Sequence, residues 1–215
     1  MWDLQQTCRL YAVTDRKLMG DLHFYDAIEA ALQGGVTMLQ LREKHLSEAE
    51  YIHVAKQVHE LTKRYGVPLI VNDLPQVAMV SGAEGVHVGQ SDAEIEDARA
   101  LLGEEKIIGA TAHNLEEALA AEAAGADYLG VGAAFGSTTK LDARPIDRKE
   151  YRRICDAVSI PVVAIGGITE DNVEELYGRG LSGVAVIGGI FGTTDVKGAA
   201  THMRRLVAPL AMDLV

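Results

Sequence analysis

Gln40, Arg42 and Lys44 stand at alternate positions, with Leu39 and Leu41 between and before them. On an extended chain alternate side chains share a face, so the three polar groups point one way and the leucines the other. Two cations converging on one spot call for an anion, because unpaired buried charge is costly. That anion is a ligand, or else a neighbouring Asp or Glu forming a structural ion pair. Further along, Asn72-Asp73 and Gln90-Ser91-Asp92 each follow a short apolar run. Asp73 and Asp92 are suited to share one Mg²⁺, which takes one or two carboxylates, several waters and phosphate oxygens. Helix capping is the alternative, and Asp92 before Ala93 suits an N-cap. Zinc is not expected, since no HExxH and no His or Cys pair lies at ligand spacing beside these acids.

Other candidates follow in order. Thr111 can donate a hydrogen bond to a ligand, and His113 either moves a proton or caps a helix. His87, inside an apolar run, reads as a packed histidine satisfied locally. Ser137, Thr138, Thr139 and Lys140 form a hydroxyl-rich stretch that reads as a lid closing over an anion, or as a solvated loop. Gly166-Gly167 and Gly188-Gly189 each follow an apolar β-branched run. Bare amides at two such places are a recurrent way to bind phosphate, and tight turns are the alternative.

The elements that must position these groups are legible as alternating patterns. Apolar runs cover Arg9–Thr14, Thr37–Glu43, Pro68–Asn72, Gly85–Val88, Lys106–Thr111, Asp127–Gly132, Ile160–Ile165 and Gly183–Ile187. Helical spacing lies between them, over Asp21–Gln33, Ser47–Tyr65, Leu74–Ser81, Ala93–Leu102, Asn114–Ala124, Asp147–Ala157, Asp171–Gly178 and Asp195–Leu206. Ser47 before Glu50, Asn114 before Glu117 and Thr169 before Asp171 are start signals. Eight strand–helix units without a hairpin signal specify a parallel sheet. An open doubly wound sheet would carry a glycine fingerprint after its first strand, where this chain has Thr14-Asp15-Arg16-Lys17. The expectation is therefore one (β/α)8 TIM barrel, parallel and eight-stranded, spanning 1–215 as a single domain. Apart from His87, the candidates above then fall at or just beyond a strand's C-terminal end, where such barrels keep their chemistry.

Composition narrows the partners. The 215 residues carry 20 Lys and Arg against 31 Asp and Glu, a net charge of −11, and aromatics make up 5%. Such a surface repels nucleic acid and anionic membranes and offers little for base stacking. Cys8 and Cys155, far apart and outside any CxxC spacing, read as reduced buried thiols of a cytoplasmic protein. No apolar stretch is long enough to span a bilayer. A homo-oligomer is left open. From the residues alone, the chain is a barrel enzyme with a metal–diphosphate region near strands two to four and a monophosphate region near strands seven and eight.

One ordered set of motifs goes further. Gln40-Leu-Arg-Glu-Lys44, Val71-Asn72-Asp73, Gly85-Val-His-Val-Gly-Gln90-Ser-Asp92, Ala112-His113-Asn114, Gly125-Ala-Asp-Tyr-Leu-Gly-Val-Gly132, Ser137-Thr-Thr-Lys140 and Ala164-Ile-Gly-Gly-Ile168 follow one another. In this order they resemble the thiamine phosphate synthase family from about Leu10 to Leu206. The resemblance implies condensation of hydroxymethylpyrimidine diphosphate with hydroxyethylthiazole phosphate, giving thiamine phosphate and pyrophosphate by a dissociative route. It implies that Gln40, Arg42, Lys44, Asn72, Thr111 and Lys140 contact the pyrimidine diphosphate, with Arg42, Lys44, Thr111 and Lys140 the catalytic members. It also implies Asp73 and Asp92 as Mg²⁺ ligands, and Ser137, Thr139, Gly167, Ile187 and Gly188 around the thiazole phosphate. The family usually has serine where Thr111 and Gly188 stand, and threonine where Ser137 stands. Gly188 thus lacks a hydroxyl. Ala133 and Gly136 replace a Pro-rich start to the lid, which implies a looser loop. Three rivals are a thiazole tautomerase-like isomerase using His113, a Schiff-base aldolase using Lys44 or Lys140, and a non-catalytic phosphate-ligand sensor. The tautomerase relatives generally lack the metal acids that this chain has.

Overall fold

The eight apolar runs pair in chain order and close on themselves. In the computed structural model, β1 (Leu10–Val13), β2 (Met38–Leu41), β3 (Leu69–Asn72), β4 (Gly85–Val88), β5 (Ile107–Ala112), β6 (Tyr128–Gly132), β7 (Val162–Ile165) and β8 (Gly183–Val186) form a closed parallel barrel in that order. β8 returns to β1 with Val184 opposite Leu10. The structure describes residues 2–89, 92–136 and 145–210, with the backbone alone at 92–94.

Around the barrel run α1 (Leu4–Thr7), α2 (Arg16–Met19), α3 (Phe24–Gln33), α4 (Glu48–Tyr65), α5 (Pro75–Ser81), α6 (Asp92–Leu102), α7 (Leu115–Ala123), α8 (Arg148–Ala157), α9 (Gly188–Phe191) and α10 (Val196–Leu206). Local chemistry sets their starts. Ser47 and Glu50 cap α4 reciprocally, and Asn114 accepts the Glu117 amide at the head of α7, as their spacing predicts. The third start signal fails. Instead of a helix over 171–178 the chain makes one 3-10 turn, Val173–Leu176, and the Thr169 amide donates to Asn172 Oδ1. Val173 and Leu176, three apart, are its buried residues, which suits a 3-10 turn as well as an α-helix.

Strand alternation divides the core in two. Leu10, Ala12, Leu39, Leu41, Val71 and Val86 face outward and pack against the helices. Tyr11, Val13, Met38, Ile70, Ile107, Tyr128, Val163 and Ala185 fill the barrel interior. Toward the C-terminal ends the inward positions are mixed, with Gln40, Asn72, Thr111 and Gly132 beside Val13 and Ile165, and they line an open mouth. Among the described residues no helix is long and apolar enough to cross a membrane. Both cysteines are free thiols, Cys8 buried and Cys155 only partly so.

Candidate active site

A cavity of about 550 Å³ opens at the C-terminal ends of the strands. Its lining includes Gln40, Arg42, Lys44, Asn72, Asp73, Thr111, Gly167, Ile187 and Gly188, so the predicted residues that the structure describes in full meet in one place. Strand alternation does the gathering. Gln40 is 5% exposed and turned inward, while Leu39 and Leu41 are fully covered by helices on the outside.

Several groups hold this rim. The Tyr51 hydroxyl, from α4, donates to Leu41 O at 2.5 Å and accepts the Asn72 amide at 3.2 Å, tying the ends of β2 and β3 together. Burial pushes this phenol above its ordinary range, so it stays protonated and can keep donating. Tyr151, from α8, donates likewise to Val131 O at 3.0 Å on β6. The Arg42 amide donates to Thr14 Oγ1 at 3.0 Å, while its Nη1 lies 3.5 Å from Asp15 Oδ2. Lys44 Nζ is 2.9 Å from Asp73 Oδ2, and both side chains of this pair are nearly half exposed. Each of the two cations thus has a carboxylate partner, and that of Lys44 faces the open mouth. Asp73 itself has φ of +65°, the left-handed region, where a short polar side chain is tolerated better than most.

The opposite wall is backbone. Gly166 and Gly167 follow β7, and the amide of Phe135 donates to Gly166 O at 3.0 Å. A Cβ on Gly167 would meet Gly136 O at 2.8 Å, in a conformation with φ of +64°. Gly188 opens the short helix α9, and the amides at its start have no carbonyl to pair with inside the helix.

Comparison with known proteins decides the family. The sequence profile described as thiamine monophosphate synthase matches residues 10–190. The chain belongs to this family. The thiamine-phosphate synthase of Clostridium acetobutylicum is 45% identical over 199 residues, covering 93% of this chain and 94% of that protein. That of Chloroflexus aurantiacus is 48% identical over 201 residues, 93% of each chain. A solved thiamine phosphate pyrophosphorylase from Pyrococcus furiosus matches with a TM-score of 0.88 and 39% identity, over 97% of this chain and 99% of that one.

Against this family's expected site, the side chain of Asp92 and all of Ser137, Thr139 and Lys140 lie outside the described residues; the backbone places Asp92 at the first position of α6. His113 lines the mouth, but its ring Nδ1 and its amide both meet Glu117 Oε2, at 3.1 and 2.7 Å. That is capping geometry at the head of α7. His87 is satisfied on both ring nitrogens as expected, by Tyr128 and Thr111, each at 3.0 Å. Sequence reasoning missed Tyr11, which lines the cavity floor, and Asp15, the partner of Arg42. Alternation within β1 marks Tyr11 as inward-facing, because Leu10 and Ala12 face out.

Proposed function

We propose that this cavity carries out the family reaction by holding a pyrimidine diphosphate against the β2–β3 rim and a thiazole phosphate against the β7–β8 rim. The chain is a thiamine-phosphate synthase and condenses the two to thiamine phosphate and pyrophosphate. The supporting observation is that Arg42, Lys44 and Asp73 on one wall and Gly167 and Gly188 on the other line one cavity.

The bond that breaks joins the pyrimidine methylene to the diphosphate, whose oxygen takes the electron pair. Arg42 and Lys44 stabilise the charge that grows there. The thiazole nitrogen then forms the new C–N bond with its lone pair. No protein nucleophile is needed, so the chain's work is placement and charge. Gly167, Ile187 and Gly188 hold the thiazole phosphate through backbone amides and Ser137 and Thr139 add hydroxyls to it, whereas Lys140 adds a third cation to the diphosphate.

Asp73 fits a hard divalent ion, being an oxygen donor at the open mouth beside the diphosphate side. Asp73 and Asp92 would hold Mg²⁺, which supplies further stabilisation of the leaving diphosphate. Incubation with both purified substrates and Mg²⁺, with thiamine phosphate read directly, tests the reading. Product that requires both substrates supports it, and tight binding of both without product overturns it.

A further inference from the structure

Five polar side chains from five strands form an unbroken line through the barrel. Gln40 Nε2 donates to Tyr11 Oη at 2.7 Å, and Tyr11 Oη lies 2.8 Å from Tyr128 Oη. Tyr128 Oη is 3.0 Å from His87 Nδ1, and His87 Nε2 is 3.0 Å from Thr111 Oγ1. Tyr11 is 1% exposed and Tyr128 fully buried, so their hydroxyls have each other rather than water. The barrel gives up a side chain to seat the second ring, since a Cβ on Gly109 would lie 2.1 Å from Tyr128 Cζ.

We propose that Tyr11, Tyr128 and His87 act as one directional relay that fixes Gln40 as an acceptor and Thr111 as a donor toward the substrate, with Tyr128 as its positioning residue. The direction follows from the Gln40 amide, whose nitrogen is turned to Tyr11, together with the single proton of each hydroxyl. Tyr11 accepts from Gln40 and therefore donates to Tyr128. Tyr128 then donates to His87, whose Nδ1 must be bare and whose Nε2 bears the proton. His87 donates to Thr111, whose own proton is left for the cavity. At the other end Gln40 spends one Nε2 hydrogen on Tyr11 and keeps its amide oxygen to accept, beside its second Nε2 hydrogen. Burial raises the phenols of Tyr11 and Tyr128 well above their ordinary range, which keeps both protons in place. An acceptor at Gln40 suits an exocyclic amine, and a donor at Thr111 suits a phosphate oxygen. Tyr128 does not line the cavity, so its influence passes through its neighbours.

The proposal rests on the pyrimidine diphosphate being the substrate. The test is calorimetric binding of 4-amino-2-methyl-5-hydroxymethylpyrimidine diphosphate and of its 4-oxo analogue to the wild type, Tyr128→Phe and Tyr11→Phe. The wild type prefers the amino compound, and each variant loses about tenfold of that preference, the scale of one buried hydrogen bond set free to reverse. Affinity for thiazole phosphate stays unchanged. A preference unaltered in a folded variant overturns the relay, whereas a wild type that fails to condense the two substrates overturns the functional reading instead. Nitrogen-15 shifts of His87 in the wild type provide a readout without any variant. A proton on Nε2 alone supports the relay, and one on Nδ1 overturns it.

Discussion

Lys44 Nζ lies 2.9 Å from Asp73 Oδ2, across the ends of neighbouring strands β2 and β3. The pair sets cation and carboxylate side by side at a half-exposed mouth. An exposed pair of this kind contributes little to stability; on the proposed reading the two charges part, Lys44 going to the diphosphate and Asp73 to the divalent ion.

Asp73→Asn is expected to lower Mg²⁺-dependent turnover by about 10²-fold or more while the fold survives. Asparagine suits the left-handed backbone at φ +65°, so strain does not confuse the result. Steady-state rates against Mg²⁺ concentration, beside a thermal melt, check this. Activity equal to wild type refutes the metal role of Asp73.

The two phosphate-side glycines should respond in opposite directions. A Cβ on Gly188 would meet only Leu18 Cδ1 at 3.7 Å, so Gly188→Ser fits. It adds a hydroxyl at the start of α9 and should lower KM for thiazole phosphate several-fold, about the effect of one charge-assisted hydrogen bond at a partly wet site. Gly167→Ala instead forces a side chain against Gly136 O at 2.8 Å in a left-handed conformation, and KM should rise. An unchanged KM in Gly188→Ser means that the missing hydroxyl does not matter.

His113→Asn separates the synthase from an isomerase that uses this histidine. The substitution keeps the backbone amide on Glu117 and gives up a half-exposed ring contact, so condensation should stay within a few-fold and the stability loss should be about 0.5 kcal/mol. Loss of all activity would put His113 in the chemistry.

Burial pushes the Cys155 thiol up from 9.0 to about 12, and raises that of Cys8 further. The native state therefore keeps protons that the unfolded chain has lost. Stability should fall as pH rises between 9.0 and about 12. Urea denaturation at stepwise higher pH measures the slope, and Cys155→Ala should make it shallower. A thiol titration near neutral pH should find both cysteines unreactive until the chain unfolds, and fast labelling of the native protein contradicts this.

Much of this site is written in local patterns. Alternation alone turns Gln40, Arg42 and Lys44 inward and sends Leu39 and Leu41 out, and chain order alone arranges the eight strands. What stays hidden depends on closure. Tyr11 and Tyr128 are 117 positions apart and meet only because the barrel brings β1 and β6 across its axis. Asp15 looks like a helix cap, and it is one, accepting the amides of Lys17 and Leu18, but its second oxygen faces Arg42. The expected helix over 171–178 fails for a local reason. Its buried pair, Val173 and Leu176, needs one turn, and Gly178 and Gly180 follow with positive φ.

The central claim is that one mouth holds the diphosphate, the metal and the thiazole phosphate together. A crystal structure with thiamine phosphate, pyrophosphate and Mg²⁺ bound tests it most directly. The account predicts pyrophosphate against Arg42 and Lys44, the ion on Asp73 and Asp92, and the product's phosphate on the amides of Gly167 and Gly188. Phosphorus or metal density away from these residues would contradict it.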